Sequence, residues 1–235
     1  MSNNLQSLKF SGGDKPTLSV LDQLLIPQEK KYVDIPDVEA AWAVIRSMQI
    51  RGAPLIAIVA LLGLSVDLNS NPKTIAALEQ IQDDGDAVMK LIYDKLDYLA
   101  TSRPTAVNLF NAIAEVKGIL EDTKKNAAGN DSNMKDVLCQ AVLKHTEFML
   151  ERDVADNKSI GKFGAQAILK NKPADQKVNI VTICNTGSLA TAGFGTALGV
   201  VSKKDLELIS SFSLQNINLT NLILSCWIPI QYFVR

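Results

Sequence analysis

Residues 178–199 read VNIVTICNTGSLATAGFGTALG. The run Val178-Asn179-Ile180-Val181-Thr182-Ile183 is rich in β-branched residues and bounded by loops, which predicts a buried parallel strand. Cys184 falls at its carboxyl end, Asn185-Thr186-Gly187 forms a turn, and Ser188 to Val201 is expected to be a helix of small residues. Strand, turn and helix together make the first βα unit of a doubly wound, Rossmann-like domain. The expected fold class is therefore α/β, with this unit following a mainly helical N-terminal domain.

Upstream of that unit the period is helical. Residues 5–35 read as short strands and turns, with Leu8-Lys9-Phe10 before a Ser-Gly-Gly-Asp turn and Leu18-Ser19-Val20-Leu21 before Pro27. Pro36-Asp37 opens an amphipathic helix carrying Val38, Ala41, Trp42, Ile45 and Met48, up to about Gln49. Pro54 suits the first turn of the next helix. The apolar run Leu55 to Leu68 predicts a central, buried helix. Asn69 to Thr74 is expected to be a loop. One long helix is expected over Ile75 to Leu99, and another after Arg103-Pro104 through Val107, Phe110, Ile113, Val116 and Ile119. Met134 to Arg152 forms a helix with Leu138, Ala141, Val142 and Met149 on its core face. Asn157 to Phe163 is expected to turn, Gly164 to Leu169 to be a short helix, and Asn171 to Lys177 to be a charged loop. The domain plan is residues 1–172, N-terminal and mainly helical; 173–201, the start of the Rossmann-like catalytic domain; and 202–235, a divergent tail.

Composition narrows the class of function. The chain has 235 residues, 47% of them hydrophobic, which is enough for a full core. Lys and Arg number 24 against 25 Asp and Glu, so no basic face marks a nucleic-acid partner. Cys139, Cys184 and Cys226 are widely spaced and His145 is the single histidine, so neither a metal site nor a disulfide framework is expected. The N-terminus MSNNLQSLKF lacks an apolar signal region. Leu208 to Val234 carries no charge, but Gln215, Asn216, Asn218, Asn221 and Gln231 interrupt it and Pro229 breaks it. Its most apolar part, Leu222 to Val234, is shorter than the roughly 20 residues of a membrane span, so no membrane association is expected. A reducing, cytoplasmic setting follows, with the nucleus as a second expected compartment.

Cys184 is the first candidate for chemistry. A thiol at a strand's carboxyl end, beside a helix N-terminus, has its thiolate favoured and serves as base, nucleophile or electrostatic partner. A buried structural cysteine is the alternative. Arg51-Gly52-Ala53-Pro54 and Arg103-Pro104-Thr105 each put an arginine ahead of a helix start, where guanidinium and backbone N–H groups form a cradle for phosphate or sugar oxygens. Exposed loop arginines are the plainer reading. Gly193, Gly195 and Gly199 do not sit where a dinucleotide fingerprint needs them, and they are read as small residues packing a helix on a sheet. His145 is read as a solvated or capped helix histidine and Cys139 as core.

Taken together, Leu21-Asp22-Gln23-Leu24-Leu25-Ile26-Pro27, Met48-Gln49-Ile50-Arg51-Gly52-Ala53-Pro54, Ser102-Arg103-Pro104-Thr105-Ala106-Val107-Asn108, Asp156-Asn157-Lys158-Ser159-Ile160-Gly161 and Cys184-Asn185-Thr186-Gly187-Ser188-Leu189-Ala190-Thr191-Ala192-Gly193 resemble the methylthioribose-1-phosphate isomerases. These are the aldose–ketose isomerases of methionine salvage. Their fold is shared with ribose-1,5-bisphosphate isomerase and with regulatory subunits of the translation initiation guanine-nucleotide exchange factor. The resemblance implies that Arg51, Gly52, Ala53 and Arg103 contact the substrate and its phosphate, and that Cys184 is the catalytic thiol. It implies conversion of 5-methylthioribose 1-phosphate to 5-methylthioribulose 1-phosphate, no cofactor or metal, and a homodimer for the complete family member. A non-enzymatic regulatory or dimerisation module related to the exchange-factor subunits is the alternative. After about Val201 the resemblance stops. The family's later strand–helix units, with a catalytic aspartate, a substrate-binding glutamine and an Asn-Lys pair, have no counterpart in Ser202 to Arg235. The chain is therefore expected to be truncated relative to the family and impaired in turnover.

Overall fold

The computed structural model describes residues 5–81, 84–127, 133–171, 178, 180 and 182–201. Three short strands come first: β1 (Leu8–Ser11), β2 (Thr17–Leu21) and β3 (Tyr32–Asp34). They form an antiparallel sheet in the order β1-β2-β3, with Leu8 opposite Val20 and Val20 opposite Val33. Alternation puts Leu18 and Val20 in the core, as the period of two requires.

Helix α1 (Val38–Arg46) begins where expected: the Asp37 carboxylate accepts the Ala40 N–H at 2.8 Å. Helix α2 (Ala53–Ser70) is buried continuously from Leu55 to Leu68. It packs against α1 and against two later helices, α5 (Val107–Ala127) and α6 (Met134–Leu169), so it is the axis of the domain. Its length and composition would also allow it to cross a membrane, but its burial makes it a core helix. The expected fold class, α/β with a mainly helical N-terminal domain behind short strands, is what the described residues show.

Four local expectations differ from what forms. Asn69 to Thr74 is not a loop: Asn71 ends α2 and its side chain caps α3 (Pro72–Gln80), accepting the Lys73 N–H at 3.1 Å. The long helix over Ile75 to Leu99 is two helices. Asp84 accepts N–H groups from Asp86 and Ala87 and starts α4 (Gly85–Ala100) afresh. Conversely, α6 runs without a break through 157–163, where a turn was expected. Gly161 is buried within α6, and Gly164 is a contact point. A Cβ on Gly164 would lie 2.9 Å from the Val200 side chain. On α5 the buried face is Leu109, Ala112, Ile113, Val116 and Leu120, while Val107 and Phe110 are 66% and 41% exposed.

Residues 178–201 hold the largest difference. The described residues of the expected strand, Val178, Ile180, Thr182 and Ile183, carry no strand pairing, and Ile183 is 87% exposed. A strand exists only where a neighbour accepts its ladder, and among the described residues none lies beside it. The expected helix from Ser188 to Val201 is a single 3-10 turn, Ser188–Ala190, an irregular stretch, and the short α7 (Ala197–Val200). Gly193 and Gly195, at φ 146° and 87°, interrupt it in backbone conformations foreign to a right-handed helix. The tail from residue 202, with Asp205 and Cys226, and the loop 172–177 lie outside the described residues.

Candidate functional site

Arg51-Gly52-Ala53-Pro54 sits at the start of α2. Pro54 occupies the first turn, and no side chain caps the helix, so its leading N–H groups remain available to an anion. Gly52 takes φ 111°, a conformation that side chains avoid. It is also pressed against the 3-10 turn: a Cβ at Gly52 would lie 2.4 Å from the Ala190 carbonyl oxygen and 2.5 Å from its Cα. Two motifs far apart in sequence, the Arg-Gly-Ala-Pro turn and the segment after Cys184, are thus in direct contact.

A cleft of about 230 Å³ opens between them, lined by Leu5, Gln23, Arg51, Asn185, Gly187, Ser188, Leu189, Ala190 and Leu198. Arg51 is half-buried and pairs with no carboxylate among the described residues. Its Nη2 donates weakly to the Gln23 carbonyl at 3.5 Å. One wall is therefore cationic. The other carries the Asn185 amide and the Ser188 hydroxyl.

Residues that were not singled out hold these walls. Asp22 and Gln23 are 7% and 6% exposed just after β2. The Gln23 N–H donates to the Gln49 carbonyl at 2.8 Å, its Nε2 to the Leu189 carbonyl at 2.8 Å, and Gln49 Nε2 donates to Asp22 Oδ2 at 2.7 Å. Farther along the second wall, the buried Ser7 hydroxyl donates to the Thr191 carbonyl at 2.6 Å. Thr191 Oγ1 in turn accepts from Gly195 N–H at 3.0 Å. From α6, Asp153 Oδ2 accepts the Ala192 N–H at 2.8 Å, and Oδ1 accepts from Asn157 at 3.1 Å. Burial pushes the Asp153 carboxyl above its ordinary range, the bonds from Ala192 and Asn157 pull it back in part, and Asp156 adds to the rise. The signal that could have found these residues is polarity in an apolar setting: Asp22 and Gln23 directly follow a buried strand.

The sequence candidates divide. Arg51 and Gly52 are at the cleft, and Ala53 begins the helix behind it. Cys184 is exposed, has φ 83°, and adjoins Asn185 at the cleft without lining it. It does not sit at an α-helix N-terminus, because the turn after it leads into a 3-10 turn and α7 begins only at Ala197; that part of the expectation falls with the long helix. Arg103 is half-buried in the turn between α4 and α5 and is not among the cleft residues. Helix α5 starts at Val107, so Arg103 does not stand at a helix start as Arg51 does. Cys139 is core as expected, and burial raises its thiol to about 12. His145 is not solvated: it is 9% exposed, Nε2 has no partner among the described residues, and burial lowers its pKa.

Residues 49–208, which span α2 with its start and the segment packed on it, match the initiation factor 2 subunit family, and the chain belongs to it. Within that class the chain is 42% identical over 208 residues to methylthioribose-1-phosphate isomerase of Uncinocarpus reesii, covering 86% of this chain and 50% of the relative. To the isomerase of that name from Pyrenophora tritici-repentis it is 46% identical over 199 residues, covering 84% and 47%. Among solved structures it is similar to 5-methylthioribose 1-phosphate isomerase from Pyrococcus horikoshii (TM-score 0.67, 25% identity, 90% of this chain and 51% of the other). It is also similar to the delta subunit of translation initiation factor eIF-2B from A. fulgidus (TM-score 0.60, 27% identity, 87% and 52%). The chain spans about half the length of the curated relatives it matches.

Proposed function

We propose that this chain carries the phosphosugar-binding half of a methylthioribose-1-phosphate isomerase site. The observation that carries the reading is the contact between Gly52 and Ala190, which sets a guanidinium with no carboxylate partner among the described residues, and an uncapped helix start, beside a hydroxyl and an amide. That combination suits a ligand with one dianionic end and several hydroxyls. The isomerase names of the curated relatives favour an enzyme over a regulatory module.

The reaction is an internal redox exchange and needs no external oxidant. The ring C1–O4 bond breaks and O4 gains a proton. Hydrogen moves from C2 to C1, so C1 is reduced and C2 becomes the ketone as its hydroxyl loses a proton. The phosphate stays on O1 throughout. Arg51 and the first N–H groups of α2 would hold that phosphate, Arg103 would enter from the α4–α5 turn, and Cys184 would face the reacting carbons. A separate proton donor is required at O4. General acid–base steps contribute on the order of 10²–10⁴-fold. Homodimer formation and a cytoplasmic and nuclear location belong to the same proposal.

Cys184 offers the test. It is exposed while Cys139 is buried, so alkylation resolved by peptide mapping reports on it separately. Saturating 5-methylthioribose 1-phosphate is expected to slow iodoacetamide labelling of Cys184 at least several-fold. Labelling that proceeds at the same rate with and without the phosphosugar would remove Cys184 from the site.

A further inference from the structure

We infer that Gln23 is the positioning residue of this cleft, fixing the distance between the phosphate-holding wall and the sugar-facing wall. The inference rests on the phosphosugar reading above. Gln23 is the point where the two walls are hydrogen-bonded to one residue. Its main chain serves the cationic wall, through the N–H to the Gln49 carbonyl at 2.8 Å and the carbonyl accepting from Arg51. Its side chain serves the opposite wall, through Nε2 to the Leu189 carbonyl at 2.8 Å.

The backbone of Gln23 cannot drift, because Asp22 is tied to Gln49 and its Oδ1 accepts the Leu24 N–H at 3.0 Å. The side chain cannot drift either, since the residue is 6% exposed. A fixed Leu189 carbonyl fixes the peptide plane that leads into Ala190, and Ala190 is the residue packed on Gly52. The Gly52 contact is van der Waals only, and the Ser7 bond holds Thr191 farther along. Among the described residues, Gln23 alone bridges the cleft itself by hydrogen bonds. Its place in the turn two residues after β2, tied to Gln49, makes it a rigid post for an otherwise irregular segment.

A positioning role has a specificity signature. Inorganic phosphate needs only the Arg51 wall, whereas a phosphosugar needs both walls at the right separation. Gln23→Met keeps length and burial but removes the donor. It is expected to weaken 5-methylthioribose 1-phosphate binding by about tenfold, the worth of one hydrogen bond that leaves a carbonyl unsatisfied. Inorganic phosphate binding is expected to stay within about twofold, because the Arg51 contacts are backbone-held. In the same variant, amide hydrogen exchange should accelerate at Ala190, Thr196 and Leu198 and remain unchanged in the interior of α2. An unchanged ratio of the two affinities overturns the inference, and so does unchanged exchange at those amides. A parent chain that binds neither ligand overturns the phosphosugar reading instead, and the exchange comparison then still decides whether Gln23 holds the turn.

Discussion

Gly52 bears two independent demands, a positive φ and a backbone contact with Ala190. Either alone would disfavour a side chain; together they leave no relaxation that keeps both segments in place. Gly52→Ala is expected to lower stability by about 2–4 kcal/mol and to detach residues 188–192 from α2, read out by denaturant unfolding. Ser7→Ala acts on the same segment from the other side. It strands the Thr191 carbonyl in a buried position and should cost about 1–3 kcal/mol, with little effect on the exchange of α5 amides. Asp153 gives the pH dependence. Its carboxyl is raised above the ordinary 3.8 in the folded chain, so its contribution is fully present below that pH and is lost as pH rises through the folded value. Asp153→Asn removes this titration. The stability of the parent relative to Asp153→Asn should therefore fall as pH rises from about 4, and a pH-independent difference in urea unfolding would contradict the assignment.

Among the elements, α2 carries the strongest polar joint. Asp67 is fully buried on it and accepts from Asn71 at 2.6 Å and Thr74 at 3.0 Å, both at the start of α3. The Lys95 ammonium of α4 stands 2.6 Å from its other oxygen, out of hydrogen-bond alignment, so the compensation there is Coulombic. Asp67→Ala should lower stability by about 2–4 kcal/mol, less than a fully enclosed pair would lose, because Lys95 is 20% exposed and can turn to water. High salt should leave most of the difference in place.

The elements also show what could be read from the chain. Caps and continuous apolarity were legible: Asp37 and Pro54 mark real helix starts, and Leu55 to Leu68 is the real core. Glycine was ambiguous, because the same residue serves as a turn signal and as a place of close packing. Gly164 packs closely against Val200 from inside α6, whereas Gly193 and Gly195 break what looked like a helix. A residue's neighbours decide between those uses, and they lie far away in sequence. The same holds for the strand over 178–183, whose β-branched pattern is a property of the segment but whose ladder belongs to other segments. At the cleft, Arg51 and the contact residue Gly52 stand out from local chemistry and resemblance, and Cys184 lies beside it. Gln23, Ser7 and Asp153 do not stand out, since each acts through one hydrogen bond to a backbone group more than thirty residues away.

At the scale of the molecule, the described residues form a mainly helical domain built around α2, with a cationic cleft at that helix's start. The match to about half of each isomerase relative fits a division of labour. Under the proposal above, this half would hold the phosphate and bring the thiol. Calorimetric titration of the chain with 5-methylthioribose 1-phosphate shows whether the cleft at Arg51 binds the phosphosugar. Saturable binding at one site is expected, weakened at least about tenfold in Arg51→Gln with the fold intact by circular dichroism. Absence of binding by the folded parent chain, or equal affinity in Arg51→Gln, would contradict it.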